Sequence, residues 1–387
     1  MDQFWRNLVA GHCACRTVPA DRWDAAALYD PRPGQPGKSY GRWGGFLDEI
    51  DRFDAAFFQL QPAVAAKLDP QQRLALEVAH HAMEDAGHAG PRRDGCTAGV
   101  FVGAREGDYH TDLLPDLARI DPHLMMGQDT GMLAARIAHA LNLDGPALTI
   151  SAACASSGVA LHQACQSLHR GECDLALVGG ISLMTTPQRF LMHSQSGLLS
   201  PAGRCRAYDD GADGMVLGEA AAFVVLRRLV DAQGSGDQLH AVIRGSGTNH
   251  NGHTPAITRP SAAAQTRLIR RVLQESNVDP RSIRYVEGHG TGTRQGDAIE
   301  LMALDGAYGV ADEGPWCGVG SVKSNIGHTI AASGIVGLIK VALCLRHRYL
   351  PPTLHVSTPN ALLDTARSPL RLQTMGQPWG LADQPRR

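Results

Sequence analysis

Between Pro146 and Gly180 the chain reads as strand, tight turn, helix and strand, and that order limits the sheet it can build. The first run is Pro146-Ala147-Leu148-Thr149-Ile150, the helix spans Gly158 to Leu168, and Asp174-Leu175-Ala176-Leu177-Val178-Gly179-Gly180 closes the unit. Strands joined through a helix pair in parallel, and parallel sheets carry helices on both faces. The turn holds Cys154, within Ile150-Ser151-Ala152-Ala153-Cys154-Ala155-Ser156-Ser157-Gly158. A thiol there meets unpaired backbone N–H groups and the positive end of a helix dipole, both of which favour thiolate. Free cysteine titrates near about 8.5, and a helix N-terminus lowers that by about a unit or more. The sequence thus predicts an activated nucleophile at Cys154; the plainer reading is a small, inert core cysteine.

The same alternation continues on both sides. Asp69 caps a helix opened by Pro70, with Leu74, Val78 and Ala82 at helical spacing and Gly87 at its end. A buried strand is predicted over 98–103 and a helix over 131–142. Strands are expected at 220–229 and 239–247, joined through Gln233-Gly234-Ser235-Gly236. A second round follows: helix 261–276, strand 283–286, helix 297–307, strand 317–320, helix 329–346. Two similar α/β halves with covered sheets are therefore expected, 1–229 carrying the cysteine and 230–387 the histidines described below.

Composition excludes several classes. With 36 Lys+Arg against 38 Asp+Glu, the formal charge of −2 gives no pull toward nucleic acid or an anionic membrane. Nine cysteines, an odd number without framework spacing, point to reduced thiols in the cytoplasm. Cys13 and Cys15 beside His12 lack a second ligand pair, so no metal site is expected there. The start, Met1-Asp2-Gln3-Phe4-Trp5-Arg6, has no signal pattern, and no apolar stretch reads as long enough to span a bilayer.

Two glycine-flanked histidines accompany Cys154: His289 in Glu287-Gly288-His289-Gly290-Thr291-Gly292-Thr293, and His328 in Lys323-Ser324-Asn325-Ile326-Gly327-His328-Thr329. Each follows a predicted strand of the second half, where open α/β sheets gather their binding crevices. A dinucleotide reading of Gly288-x-Gly290-x-Gly292 fails, because the third glycine of that fingerprint would fall at Thr293. No His-Glu-x-x-His exists, and His250 and His253 read as part of a polar loop.

With Cys154 in Ala-Ala-Cys-Ala-Ser-Ser, His289 in Gly-His-Gly-Thr-Gly-Thr and His328 in Lys-Ser-Asn-Ile-Gly-His, the chain resembles the β-ketoacyl synthases of modular polyketide synthases. Asp69-Pro70-Gln71-Gln72-Arg73, the 197–205 segment and Leu350-Pro351-Pro352-Thr353-Leu354-His355 strengthen the resemblance, which runs from about Phe4 to about residue 375. It implies a thiolase-like, five-layered α-β-α-β-α fold of two pseudo-repeated halves and a homodimer. It implies catalytic Cys154, His289 and His328, with Lys323 supporting the histidines and Thr291 and Thr293 holding a pantetheine arm. No cofactor is then bound directly; substrates arrive on the phosphopantetheine of an acyl carrier protein, and other polyketide synthase domains are expected partners.

The implied reaction loads an acyl group on Cys154, decarboxylates a malonyl-type extender and joins the two. Departures from the family pattern lie at Leu217 and Ala220, at Ser151, Ala152 and Ala155 around the nucleophile, and at Ile330. Family members also begin with an apolar strand ahead of the Phe4 region. They continue past the Arg387 region into a Gly-Phe-Gly-Gly-Thr-Asn segment that supplies an oxyanion N–H; on this resemblance both ends are short. A non-elongating relative that transacylates, or that binds a carrier protein or a partner protein, is the alternative.

Overall fold

Ala98–Gly103 (β1) is buried at every position and forms an inner strand of a four-stranded sheet. The computed structural model describes residues 1–90, 95–109, 121–311, 314–363, 367–380 and 385–387. Ala147–Ile150 (β2) and Leu175–Ser182 (β3) flank β1, both parallel to it, and Ala220–Arg227 (β4) pairs antiparallel with β3, giving the order β2-β1-β3-β4. Side chains alternate across this sheet. Val100, Val102, Leu175 and Leu177 face the helices Pro70–Asp85 and Met132–Leu141. Phe101, Ala176 and Val178 face Ser156–Arg170 and Ser333–His347.

A second sheet places Cys317–Gly320 (β6) between Tyr285–Glu287 (β5) and Leu370–Leu372 (β7), all parallel. Leu301 and Leu304 of helix Arg294–Tyr308 pack on one side of it. Cys344 of helix Ser333–His347 reaches Tyr285 on the other. The helices Ser156–Arg170 and Ser333–His347 therefore lie between the sheets. They cross where a Cβ on Gly334 would stand 2.8 Å from the Gly158 nitrogen, so only glycine permits the approach.

Most expected elements are present. Asp69 Oδ1 accepts the Gln71 N–H at 2.7 Å as predicted of a cap, and Asn142 ends its helix at φ +53°. Two expectations need correction. Residues 239–247 form no strand; Leu229–Gly234 is a short helix instead, and Leu239 and Val242 stand 46% and 48% exposed. Ile330–His347 is long and apolar enough to cross a membrane, contrary to the sequence reading. That stretch is 61% buried inside the protein and carries the fully buried Lys340, so packing between the sheets accounts for its apolarity.

Candidate active site

Cys154 sits in the 3-10 turn Ala153–Ala155 just beyond β2, at the mouth of helix Ser156–Arg170. Ala153 is held at φ +50°, an uncommon conformation for a residue with a Cβ. Ser156 fixes the turn: its Oγ accepts from Ala152 N–H at 2.9 Å and donates to Ala153 O at 2.7 Å. His289 follows β5, and His328 follows β6 through the short helix Lys323–Ile326. All three approach from strand C-termini, and their ligand atoms lie within 4.8 Å of one another.

His328 Nε2 is 3.1 Å from Cys154 Sγ. On the far side of the ring, the Ile330 N–H donates to Nδ1 at 3.3 Å, and Ser333 Oγ lies 2.9 Å from the same atom. An N–H can only donate, so Nδ1 accepts and the proton of the neutral ring belongs on Nε2, pointing at the sulfur. Ile330 reaches this position at φ +42°, strained for a β-branched residue. The His289 ring stands edge-on to His328, centroids 5.3 Å apart.

Burial dominates the electrostatics. It pushes the Cys154 thiol above its ordinary value, against the downward pull of Lys323, Arg105 and its own backbone N–H. The lowered thiol pKa predicted from the helix mouth is thus not found; desolvation outweighs the favourable charges. Burial, and then the Lys323 cation, hold both imidazoles far toward neutrality. Solvent reaches the His289 ring, but protein surrounds it closely enough for desolvation to set the direction. Lys323 is only 4% exposed, so it is no solvated surface lysine. Thr291 Oγ1 and Thr293 Oγ1 meet at 2.9 Å, beside the start of helix Arg294–Tyr308.

A cysteine and two histidines this close would also suit a soft divalent cation. The proton on His328 Nε2 argues against ligation through that atom in this tautomer.

Sequence reasoning missed two carboxylates. Glu300 accepts the His289 N–H at 2.6 Å, the Gly290 N–H at 2.8 Å and the Tyr208 hydroxyl at 2.8 Å, fixing the histidine loop. Glu287 accepts the Val322 N–H at 2.5 Å and so ties β5 to the Lys323 turn. Both serve backbone groups brought close only by folding. The one local signal was Glu300 following His289 on the next helix.

Residues 1–232 match the family profile of the β-ketoacyl synthase N-terminal domain, and residues 240–357 that of its C-terminal domain. The chain belongs to the β-ketoacyl synthase family. This β-ketoacyl synthase is 45% identical over 386 residues to a phenolphthiocerol/phthiocerol polyketide synthase of Mycobacterium tuberculosis, covering 100% of the chain and 25% of that relative. It is 44% identical over 387 residues to polyketide synthase PksL of Bacillus subtilis, of which it spans 8%. Among solved structures, it superimposes on the module 6 ketosynthase of the Bacillus subtilis bacillaene synthase with a TM-score of 0.91 and 42% identity. That match covers 99% of the chain and 65% of its counterpart. An oxazolomycin ketosynthase domain from Streptomyces albus gives a TM-score of 0.93 at 37% identity, covering 98% and 65%. The chain thus spans a quarter or less of these curated relatives, and it is an acyltransferase of the polyketide ketosynthase type.

Proposed function

We propose that this synthase catalyses decarboxylative condensation of an acyl group on Cys154 with a malonyl-type extender on an acyl carrier protein. The observation that carries the reading is the convergence of Cys154, His289 and His328 within 4.8 Å at the ends of strands from both sheets. Loading joins Cys154 sulfur to the acyl carbonyl as the phosphopantetheine thioester bond breaks, and the thiol proton leaves with the pantetheine sulfur. Splitting the transfer in this way replaces one hard step with two easier ones. Loss of CO₂ from the extender then builds negative charge on its thioester oxygen. The Nε2–H of His328 and the neutral His289 are placed to donate to that oxygen, and such donors in a dry site are worth about 2.7–4 kcal/mol each. The resulting carbanion attacks the acyl-Cys154 carbonyl, and the sulfur departs from a β-ketoacyl thioester.

Lys323 is assigned the supporting charge, and Thr291 and Thr293 the pantetheine arm. The architecture is read as thiolase-like and five-layered, with pseudo-repeated halves 1–229 and 230–387. A cytoplasmic setting suits the nine free thiols. A homodimer is proposed through the sheet edge at β2, where Leu148 is 45% exposed and one side of the strand has no partner among the described residues. Other polyketide synthase domains are the remaining partners. The test is to incubate the protein with an acyl thioester, find the acyl mass on Cys154, then add malonyl carrier protein and follow CO₂. Acylation without CO₂ release identifies a transacylating protein; no acylation leaves a binding or structural role.

A further inference from the structure

Ser333 lies behind His328, on the side of the ring away from Cys154, and the reaction above gives it no part. Its Oγ stands 2.9 Å from Nδ1, whereas the Ile330 N–H reaches the same atom at 3.3 Å. Thr329 Oγ1 lies 3.3 Å from Ser333 Oγ. All three side chains are withdrawn from water: His328 is 1% exposed, Thr329 2% and Ser333 8%. A hydroxyl can donate or accept, so its neighbours set its direction. Nδ1 accepts the Ile330 N–H and therefore carries no proton. Ser333 donates to Nδ1 as well, at the shorter distance, and Thr329 is placed to donate to Ser333 in turn.

The serine is held there by the helix it opens. Ser333 begins helix Ser333–His347, whose N-cap is Ala332, a residue with no side-chain cap. The first-turn N–H of Ile335 is taken instead by Ser157 Oγ at 3.1 Å. Ser157 belongs to helix Ser156–Arg170, directly after the nucleophile turn. A Cβ on Gly334 would stand 3.1 Å from that same Ser157 oxygen, so the helix start has little room to slide. The hydroxyl behind His328 is thus anchored to the element that presents Cys154.

A donor on Nδ1 does two things to a neutral imidazole. It fixes the ring proton on Nε2, the atom 3.1 Å from the Cys154 sulfur. It also polarises the ring, and hydrogen bonds linked in a chain strengthen one another. The Ile330 N–H alone, at the longer distance, would hold the tautomer less firmly. We propose that Ser333, backed by Thr329, is the positioning residue that keeps His328 in its Nε2–H form and strengthens it as a donor to the extender's thioester oxygen. This rests on the condensing-enzyme reading of the site.

The experiment compares S333A, S333T and T329V with the parent protein. Loading of Cys154 from an acyl thioester of N-acetylcysteamine is read by intact mass, and decarboxylation by CO₂ release from malonyl carrier protein. S333A should lower CO₂ release about three- to tenfold, the loss of one ordinary hydrogen bond, with loading little changed. S333T should recover most of that rate, and T329V should lose less than S333A. Nitrogen NMR of protein labelled in histidine reads the tautomer, the His328 signals being those missing from H328A. The parent should show Nε2 protonated, and S333A a rising share of the Nδ1–H form. A parent with Nδ1 protonated overturns the proposal, as does S333A releasing CO₂ at the parent rate. Equal losses of loading and CO₂ release in S333A overturn it too, and so does S333T no better than S333A. Should S333A fail to fold, S333C takes its place with the same expectations and the same refutations. If the parent neither loads nor decarboxylates, the condensing reading falls and this proposal with it; a parent Nε2–H signal then locates the failure in that reading rather than in Ser333.

Discussion

Lys340 and Glu287 meet at 2.7 Å inside the protein, the lysine side chain wholly out of solvent. The contact is ionic; the ammonium is poorly aligned for a hydrogen bond. Glu287 also takes the Tyr285 hydroxyl at 2.8 Å and the Val322 N–H. One carboxylate thus binds the strand before His289, the turn before His328 and the helix after it. Lys340→Met strands that charge, and removing one partner of a buried pair costs about 3–5 kcal/mol. Urea unfolding should show a loss of this size, with partial recovery in Glu287→Gln/Lys340→Met. A single variant as stable as the parent would remove the junction's structural importance.

The triad divides its labour between two steps. Cys154→Ala should abolish acyl loading. His289→Ala and His328→Ala should retain loading and lower CO₂ release roughly 10²–10³-fold each, the cost of removing an oxyanion donor. Intact mass follows the first step, and release of labelled CO₂ follows the second. Loss of loading in all three variants would undo the division.

The pH dependence of the thiol follows from burial. A thiol pushed above its ordinary range stays mainly protonated at neutral pH, so its thiolate fraction grows about tenfold per pH unit until the raised pKa is passed. Alkylation of Cys154 by iodoacetamide should therefore rise steadily through pH 7–9. No inflection between pH 5 and 8 is expected from His289 or His328, both held neutral across that range. Lys323→Met removes a cation that lowers the thiol pKa, and should slow alkylation at every pH below the plateau. A plateau already reached at pH 7 would contradict the direction of the shift.

The three catalytic candidates were legible because each sits in a short, glycine-bounded turn after an apolar strand, a pattern contained in fewer than ten residues. Helix 70–85 was equally plain, since Asp69, Pro70 and the apolar spacing are local signals. The segment 239–247 shows the limit of such reading. Val242 and its neighbours have strand propensity, but a strand also needs a partner edge, which propensity does not supply. The thiol pKa was misjudged for a related reason. The helix mouth is visible in the sequence, whereas the depth of burial that outweighs it arises only when both halves close around Cys154. The strain at Ala153 and Ile330 was invisible too, because neither is a glycine and each is forced into place by packing.

Glu300 offers the sharpest separation of positioning from chemistry. Its two oxygens accept the His289 and Gly290 N–H groups at 2.6 and 2.8 Å, so it holds the loop at the imidazole itself, while Asp297 accepts the Thr291 N–H further along at 3.0 Å. Glu300→Gln keeps the shape but offers one accepting oxygen where two were used, and its amide would turn a donor toward an N–H. Hydrogen bonds to a charged group contribute about 1.5–3 kcal/mol. Loss of one is expected to lower decarboxylation about ten- to a hundredfold through displacement of His289. Cys154 is held by Ser156 and the turn after β2, which Glu300 does not touch, so acyl loading should fall far less than CO₂ release. A structural role alone would lower both rates together with thermal stability. Equal losses in loading and decarboxylation would therefore refute the positioning role.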